Sequence, residues 1–300
     1  MAYCAADSPT FSKGNKHQRG TLNMSKKKRP DIPLFQTPII ETHCHLDYLD
    51  ETELATTLAK SAECGIEKII TIAVSPDNLD KVLRLTRHAN IWGTQGIHPH
   101  DASSYTTDIG TLIHQRMAYP KIVAVGEIGL DYYYDHGDRA TQRQVFAQQL
   151  EIASQTDKPV VIHTRDADED TRAILEDFRH RLPRKGVIHS FTSSLSLAEY
   201  CLDAGFSLGF NGITTFNNAQ NVRDVVSATP VERILLETDA PYLTPAPYRG
   251  RPNAPFYLPF IAQQVATVKG LAVEELLQQA YINSHEVFFK LNRIDSNEQP

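Results

Sequence analysis

Hydrophobic and polar positions fall into two regimes along the chain. Residues 1–37 show neither a period of two nor one of 3.6 and hold no apolar cluster, so they are expected to form a basic, weakly ordered tail. From residue 38 onward, short apolar runs recur: PIIETH (38–43), KIITIAV (68–74), IWGTQGI (91–97), KIVAVGE (121–127), PVVIH (159–163), GVIHS (186–190), FSLGF (206–210) and RILLET (233–238). Most are almost continuously apolar, the pattern of strands buried on both faces of a parallel sheet. Helical spacing lies between them. Ile109, Leu112 and Ile113, then Phe146, Leu150 and Ala153, then Ile174, Leu175 and Phe178 form i, i+3, i+4 stripes. Gly65 suits a helix end after Leu54 and Leu58, and Pro76 suits a first turn before Leu79, Val82 and Leu83.

Eight strands separated by helix-sized intervals predict an α/β fold, a (β/α)8 TIM barrel in one domain over 38–292, with a short tail over 293–300. A doubly wound open sheet is the alternative. That fold's phosphate-binding signals, GxGxxG and GxxxxGK[ST], open none of the helices.

The strand ends carry the chemistry. The first run closes on His43-Cys44-His45, the fourth on Glu127, the fifth on His163, the sixth at His189 and the eighth at Glu237-Thr238-Asp239. In a parallel barrel these ends share one face, where barrel enzymes place their active sites. His43 and His45 are two apart, so on a strand both point one way. Singly, each residue has an ordinary explanation, as a packed histidine, a helix cap or an ion-pair partner. Their coincidence at five strand ends points to metal. A zinc-type site takes three or four ligands. Six candidates (His43, His45, Glu127, His163, His189, Asp239) therefore suggest two divalent ions bridged by Glu127. Asp239 is then placed to ligate and to serve as general base toward an activated water. Imidazoles favour Zn, Mn, Fe or Ni, while a phosphate substrate would admit Mg. Spacing alone leaves open whether the bond hydrolysed is a phosphoester or an amide.

Charge narrows the partners. The chain is net −6, yet seven Lys/Arg against two carboxylates make residues 1–38 basic. The acidic remainder argues against broad nonspecific duplex binding. SKKKRP reads as a solvated basic tail, or as an extension upstream of a start at Met24, in preference to a nucleic-acid or import patch. Four scattered cysteines read as reduced thiols, and no apolar run of spanning length or secretory leader is evident. A cytoplasmic monomer is expected.

ETHCHLD (41–47), GIHPHD (96–101), GEIGLDYYY (126–134), PVVIHTRDADEDT (159–171), GVIHSF (186–191), LLETDAPYLTPAP (235–247) and RGRPNAP (249–255) resemble, in order, the motifs of the TatD family of metal-dependent deoxyribonucleases. The resemblance covers about 38–292. It implies an amidohydrolase-like TIM barrel, two divalent ions and phosphodiester hydrolysis, often exonucleolytic, on DNA. The six ligands and these motifs together lead us to expect a 3′–5′ exonuclease-like deoxyribonuclease acting on single-stranded or frayed ends. It matches His43 and His45 to the HxH ligands and Glu127 to the bridging carboxylate. His163, His189 and Asp239 match the remaining ligands, and His98 a pocket histidine beside the scissile phosphate. HSF replaces the more usual HCF without touching the ligand.

Arg165, Arg249 and Arg251 are candidate phosphate contacts, with surface ion pairs as the ordinary alternative. Tyr132, Tyr133 and Tyr134 are candidates for base stacking, or for rim packing. Hydrolysis of an amide, lactone or ester, such as an aminoacyl-tRNA bond, would use the same ligands. Related amidohydrolase-type sites often bridge their ions with a carboxylated lysine. The fourth strand offers Glu127 and no lysine at that end, which favours the TatD-like reading. A nonenzymatic barrel would be expected to have lost ligands, and all six are present.

Overall fold

A computed structural model describes residues 29–134 and 136–289. Most of the basic tail and all of the short C-terminal tail lie outside the described residues. The barrel lies within the unit Asp31–Pro300.

Eight strands form one sheet in the order β1 to β8: Ile39–Cys44, Ile66–Thr71, Ile91–Gln95, Ile122–Asp131, Val160–Arg165, Gly186–Ile188, Ser207–Phe210 and Ile234–Leu236. All seven neighbouring pairs are parallel. The sheet closes where the chain leaves β8. Thr42 Oγ1 donates to the Leu236 carbonyl (2.9 Å), Asp239 N–H to the His43 carbonyl (2.9 Å) and His45 N–H to the Ala240 carbonyl (2.8 Å). Closure thus happens level with the candidate ligands.

Helices follow the strands: α1 (Glu51–Glu63), α2 (Leu79–Leu85), α3 (Thr107–Arg116), α4 (Arg139–Thr156), α5 (Asp168–Phe178), α6 (Leu195–Asp203), α7 (Gln220–Ala228), α8 (Leu258–Lys269) and α9 (Val273–Ser284). The predicted (β/α)8 barrel is the observed fold. Local chemistry sets the helix starts. The Asp50 carboxylate accepts from Thr52 and Glu53 N–H while Glu53 returns a bond to Asp50 N–H, a capping box opening α1. At the other end Gly65 takes φ +82°, ending α1 before β2. α2 begins at Leu79, three residues after the proline expected to open it, with Asn78 Oδ1 accepting the N–H groups of Val74 and Ser75.

The strand period places the site. Val161, Val187 and Leu235 belong to an apolar cluster with Ile70, Ile72 and Phe288. Two residues further on, on the same face of each strand, come His163, His189 and Glu237. An apolar plug therefore underlies a polar mouth. Each fully buried Val, Ile or Leu of that plug contributes roughly 1.5–3 kcal/mol.

β4 departs from expectation. Its sequence suggests a stop at Glu127, but the strand continues to Asp131 and pairs with β5 as far as Arg165. Ile128 and Leu130 are fully buried and drive the extension. Gly129 permits it. Its φ is +137°, and a Cβ there would collide with the His163 carbonyl oxygen.

Candidate active site

His43 and His45 leave the end of β1 in one direction, as their spacing requires. His43 stacks on His189 with ring centroids 3.8 Å apart, and its Nε2 lies 3.4 Å from Glu127 Oε2 and 3.8 Å from Asp239 Oδ1. His45 Nε2 lies 3.5 Å from the same Asp239 oxygen. The other Glu127 oxygen turns elsewhere: Oε1 lies 2.8 Å from His189 Nε2 and 3.1 Å from His163 Nδ1. One buried carboxylate thus addresses two sets of imidazoles.

Asp239 occupies a left-handed backbone conformation (φ +59°), which Asp tolerates better than most residues. Its N–H bond to the His43 carbonyl ties the two ends together. All six predicted residues are brought within one cluster. Ligand atoms of His43, Glu127 and His189, of His43, His45 and Asp239, and of His98, Glu127 and His163 each lie within 4.8 Å of one another.

The donor set fits a divalent cation. His43 Nε2, the ring nitrogen turned toward Glu127 and Asp239, is buried with no hydrogen-bond partner. Such an orphan is costly unless something outside the chain satisfies it. Burial, followed by the neighbouring His189, holds the His43 pKa below its ordinary value, leaving a neutral imidazole able to ligate. Burial works against ionisation of Glu127, but His189 and His98 and the hydrogen bonds of His163 and His189 hold its carboxyl well below the usual range. Burial likewise opposes protonation of His189, yet Glu127 raises that pKa well above normal. A cation bound here would take the place of that proton.

His98 stands apart from the six. Its Nδ1 accepts from His100 N–H (3.1 Å), so in the neutral ring the proton sits on Nε2, 3.5 Å from Glu127 Oε1. Burial keeps the ring neutral by depressing its pKa well below normal. This makes it a hydrogen-bond donor facing the pocket.

Three buried carboxylates were not among the candidate site residues read from the sequence. Asp131 Oδ2 accepts from His163 Nε2 (3.1 Å) and His100 Nε2 (3.0 Å), which fixes the His163 ring so that Nδ1, turned toward Glu127, is the nitrogen that would meet a cation. Its other oxygen accepts the N–H groups of Tyr133 (3.0 Å) and Tyr134 (3.2 Å). Glu237 Oε1 accepts from Ser190 N–H (2.5 Å) and faces His189 Nδ1 at 3.6 Å. Gly209 makes room for it, because a Cβ there would strike the Glu237 carboxylate. Glu41 Oε1 accepts from His43 N–H (3.0 Å) and Thr238 N–H (2.9 Å), stapling β1 to the chain leaving β8. Burial pushes the Glu41 carboxyl up to about 8 against those hydrogen bonds. The signal for all three was strand parity: each lies two or four residues from a candidate ligand.

The rim residues divide. Tyr132 is tied down, its hydroxyl donating to Asp170 (2.5 Å). Tyr133 and Tyr134 are exposed, with the Arg165 guanidinium 3.9 and 4.8 Å from their ring centroids. Arg249 is exposed and lies over the Phe216 ring (4.0 Å), and Arg251 is exposed. Among the described residues Cys44, Cys64 and Cys201 are free and buried, and no helix is long and apolar enough to cross a membrane.

A buried histidine–carboxylate cluster at the C-terminal mouth of a (β/α)8 barrel belongs to the metal-dependent hydrolases. Comparison with known proteins makes the class specific. Residues 40–289 match the family model described as TatD related DNase, and the chain belongs to that family. It is 37% identical over 265 residues to the uncharacterized metal-dependent hydrolase YcfH of Escherichia coli K12, covering 86% of this chain and 97% of that protein. The 3′-5′ ssDNA/RNA exonuclease TatD of Erwinia amylovora is 36% identical over 236 residues, 76% of this chain and 91% of its own length. The crystal structure of YJJV, a TatD homolog from Escherichia coli K12, superposes with a TM-score of 0.79 at 30% identity, covering 83% of this chain and 97% of its own.

Proposed function

We propose that this protein is a two-metal nuclease that hydrolyses phosphodiester bonds at single-stranded or frayed DNA ends, in the 3′–5′ direction. The observation that carries the reading is the divided carboxylate of Glu127, one oxygen toward His43 and the other toward His163 and His189. In this reading His43, His45 and Asp239 would hold one divalent cation and His163 and His189 the second, with Glu127 placed to contribute an oxygen to each. When bound, such cations supply Lewis acidity toward a phosphoryl oxygen and make a water molecule acidic near neutral pH. The chain's own residues do the rest. Asp239 accepts the proton of the attacking water, and His98 donates Nε2–H toward a phosphate oxygen. Arg165 and Arg249 contact flanking phosphates, where a guanidinium can bond in two places. Support for DNA comes from the family and from the exonuclease relative in Erwinia amylovora.

The test is incubation of the purified protein with end-labelled single-stranded DNA and Mg, Mn or Zn. Chelator-sensitive shortening from the 3′ end is expected, abolished by Glu127→Ala. Absence of product with every metal, or equal activity in the variant, overturns the reading. Cleavage of an aminoacyl ester but not of DNA would favour the ester-hydrolase alternative that the same ligands allow. Metal analysis of protein purified without chelator is expected to find two ions per chain, and a monomer is expected in solution.

A further inference from the structure

Two tyrosines at the mouth have no part in the site as described. Tyr48 lies three residues after His45, and Tyr242 three residues after Asp239. Each sits on a turn that closes on the candidate ligand itself: Tyr48 N–H donates to the His45 carbonyl (3.4 Å) and Tyr242 N–H to the Asp239 carbonyl (2.9 Å). The Tyr242 turn is pinned further by Asn253 Nδ2, which donates to the Tyr242 carbonyl (2.6 Å). The rings meet at 6.1 Å between centroids, edge to face, with the His45 ring 5.7 Å from Tyr48 and 6.3 Å from Tyr242. Both remain half exposed, 53% and 50%.

Resting on the nuclease reading, the geometry points to Tyr48 and Tyr242 as the contact platform for the nucleobase adjoining the scissile phosphodiester on the His45–Asp239 side of the centre. Rings that served core packing would be covered by the chain, and these present aromatic surface to solvent beside the candidate ligands. Tyrosine loses few rotamers on binding and offers both a π face and a polar tip. Stacking is tolerant of sequence, because every base has a π face. The turns place both rings at a fixed step from His45 and Asp239, so a phosphate at those residues sets its neighbouring base against the rings. Tyr133, Tyr134 and Arg165 form a separate aromatic and cationic group on the His163 side. A single strand held at both groups would cross the mouth between them.

The experiment uses the full-length protein loaded with metal and three substrates. One is a short single-stranded oligodeoxynucleotide. The other two carry one abasic residue, immediately 5′ or immediately 3′ of the terminal scissile bond. Tyr48→Leu and Tyr242→Leu are each expected to raise KM on the intact strand on the order of tenfold, the scale of one lost base–aromatic stack. Bound metal and kcat stay as in the unsubstituted protein. The penalty disappears on one of the two abasic strands, and Tyr242→Phe, which keeps the ring, restores the original KM. An unchanged KM, or an equal penalty on all three strands, overturns the platform while leaving the nuclease reading intact. A fall in kcat with loss of metal would assign the tyrosines to packing around the ligands and also overturns it. No cleavage of the intact strand by the unsubstituted protein overturns both readings.

Discussion

Asp131→Asn tests how the centre is held. The side chain is buried, 1% exposed, and divides its oxygens between two duties. Oδ2 takes Nε2–H from His163 and His100, and Oδ1 takes the N–H groups of Tyr133 and Tyr134. Asparagine is nearly the same shape but has one acceptor and one donor. If its amide nitrogen faces the histidines, His163 must offer a lone pair at Nε2 and carry its proton on Nδ1, the nitrogen directed at Glu127. If the amide is turned the other way, two backbone N–H groups of the tyrosine loop lose their acceptor. Either arrangement forfeits at least one bond to a charged group, roughly 1.5–3 kcal/mol. At 1.36 kcal/mol per decade this is a loss of about tenfold to a hundredfold, the scale seen when a carboxylate behind a metal-bound histidine is removed. We expect metal affinity, measured by calorimetric titration of chelator-stripped protein, to fall by that factor at the weaker site, and excess metal to restore most activity. Circular dichroism serves as the control for folding. Unchanged affinity and unchanged metal dependence in a folded variant would refute the role given to Asp131.

Three further outcomes are expected. Gly129→Ala forces a Cβ into the His163 carbonyl oxygen at positive φ, so it should lower thermal stability by several °C and reduce metal content; a variant melting like its parent would contradict the close approach of β4 and β5. Burial pushes the Cys201 thiol up to about 12 and Cys44 well above its ordinary 9.0, so iodoacetamide at pH 8 should leave both unmodified until the protein unfolds, as read by peptide mass spectrometry. The sign extends to stability. The folded state keeps the Cys201 proton to about pH 12 while the unfolded chain releases it near 9.0, so this contribution is complete below pH 9 and is lost as pH rises between the two. Finally, a chain beginning at Met24 should keep full metal content and activity, and loss of either would give the basic tail a function.

The chain's local patterns determined much of this protein. Apolar runs of strand length between helical stripes carry the barrel in their order, because burial on both faces of a parallel sheet leaves a continuous apolar signature. The spacing of His43 and His45 was legible because side chains two apart share a strand face. Histidines and carboxylates at the ends of the runs were legible as one group, since parallel strands finish on one face. Tertiary structure decided what depends on neighbours remote in sequence. β4 runs past Glu127 to Asp131 because Gly129 lets β5 approach and Ile128 and Leu130 find burial, and only then does Asp131 reach His163. Which Glu127 oxygen faces which imidazole follows from the positions of four strands at once. Tyr48 and Tyr242 meet because the chain leaving β8 bonds back to β1 through Asp239 and Ala240, a closure no local pattern encodes. Periodicity records which way a side chain points; only the closed barrel determines what it meets.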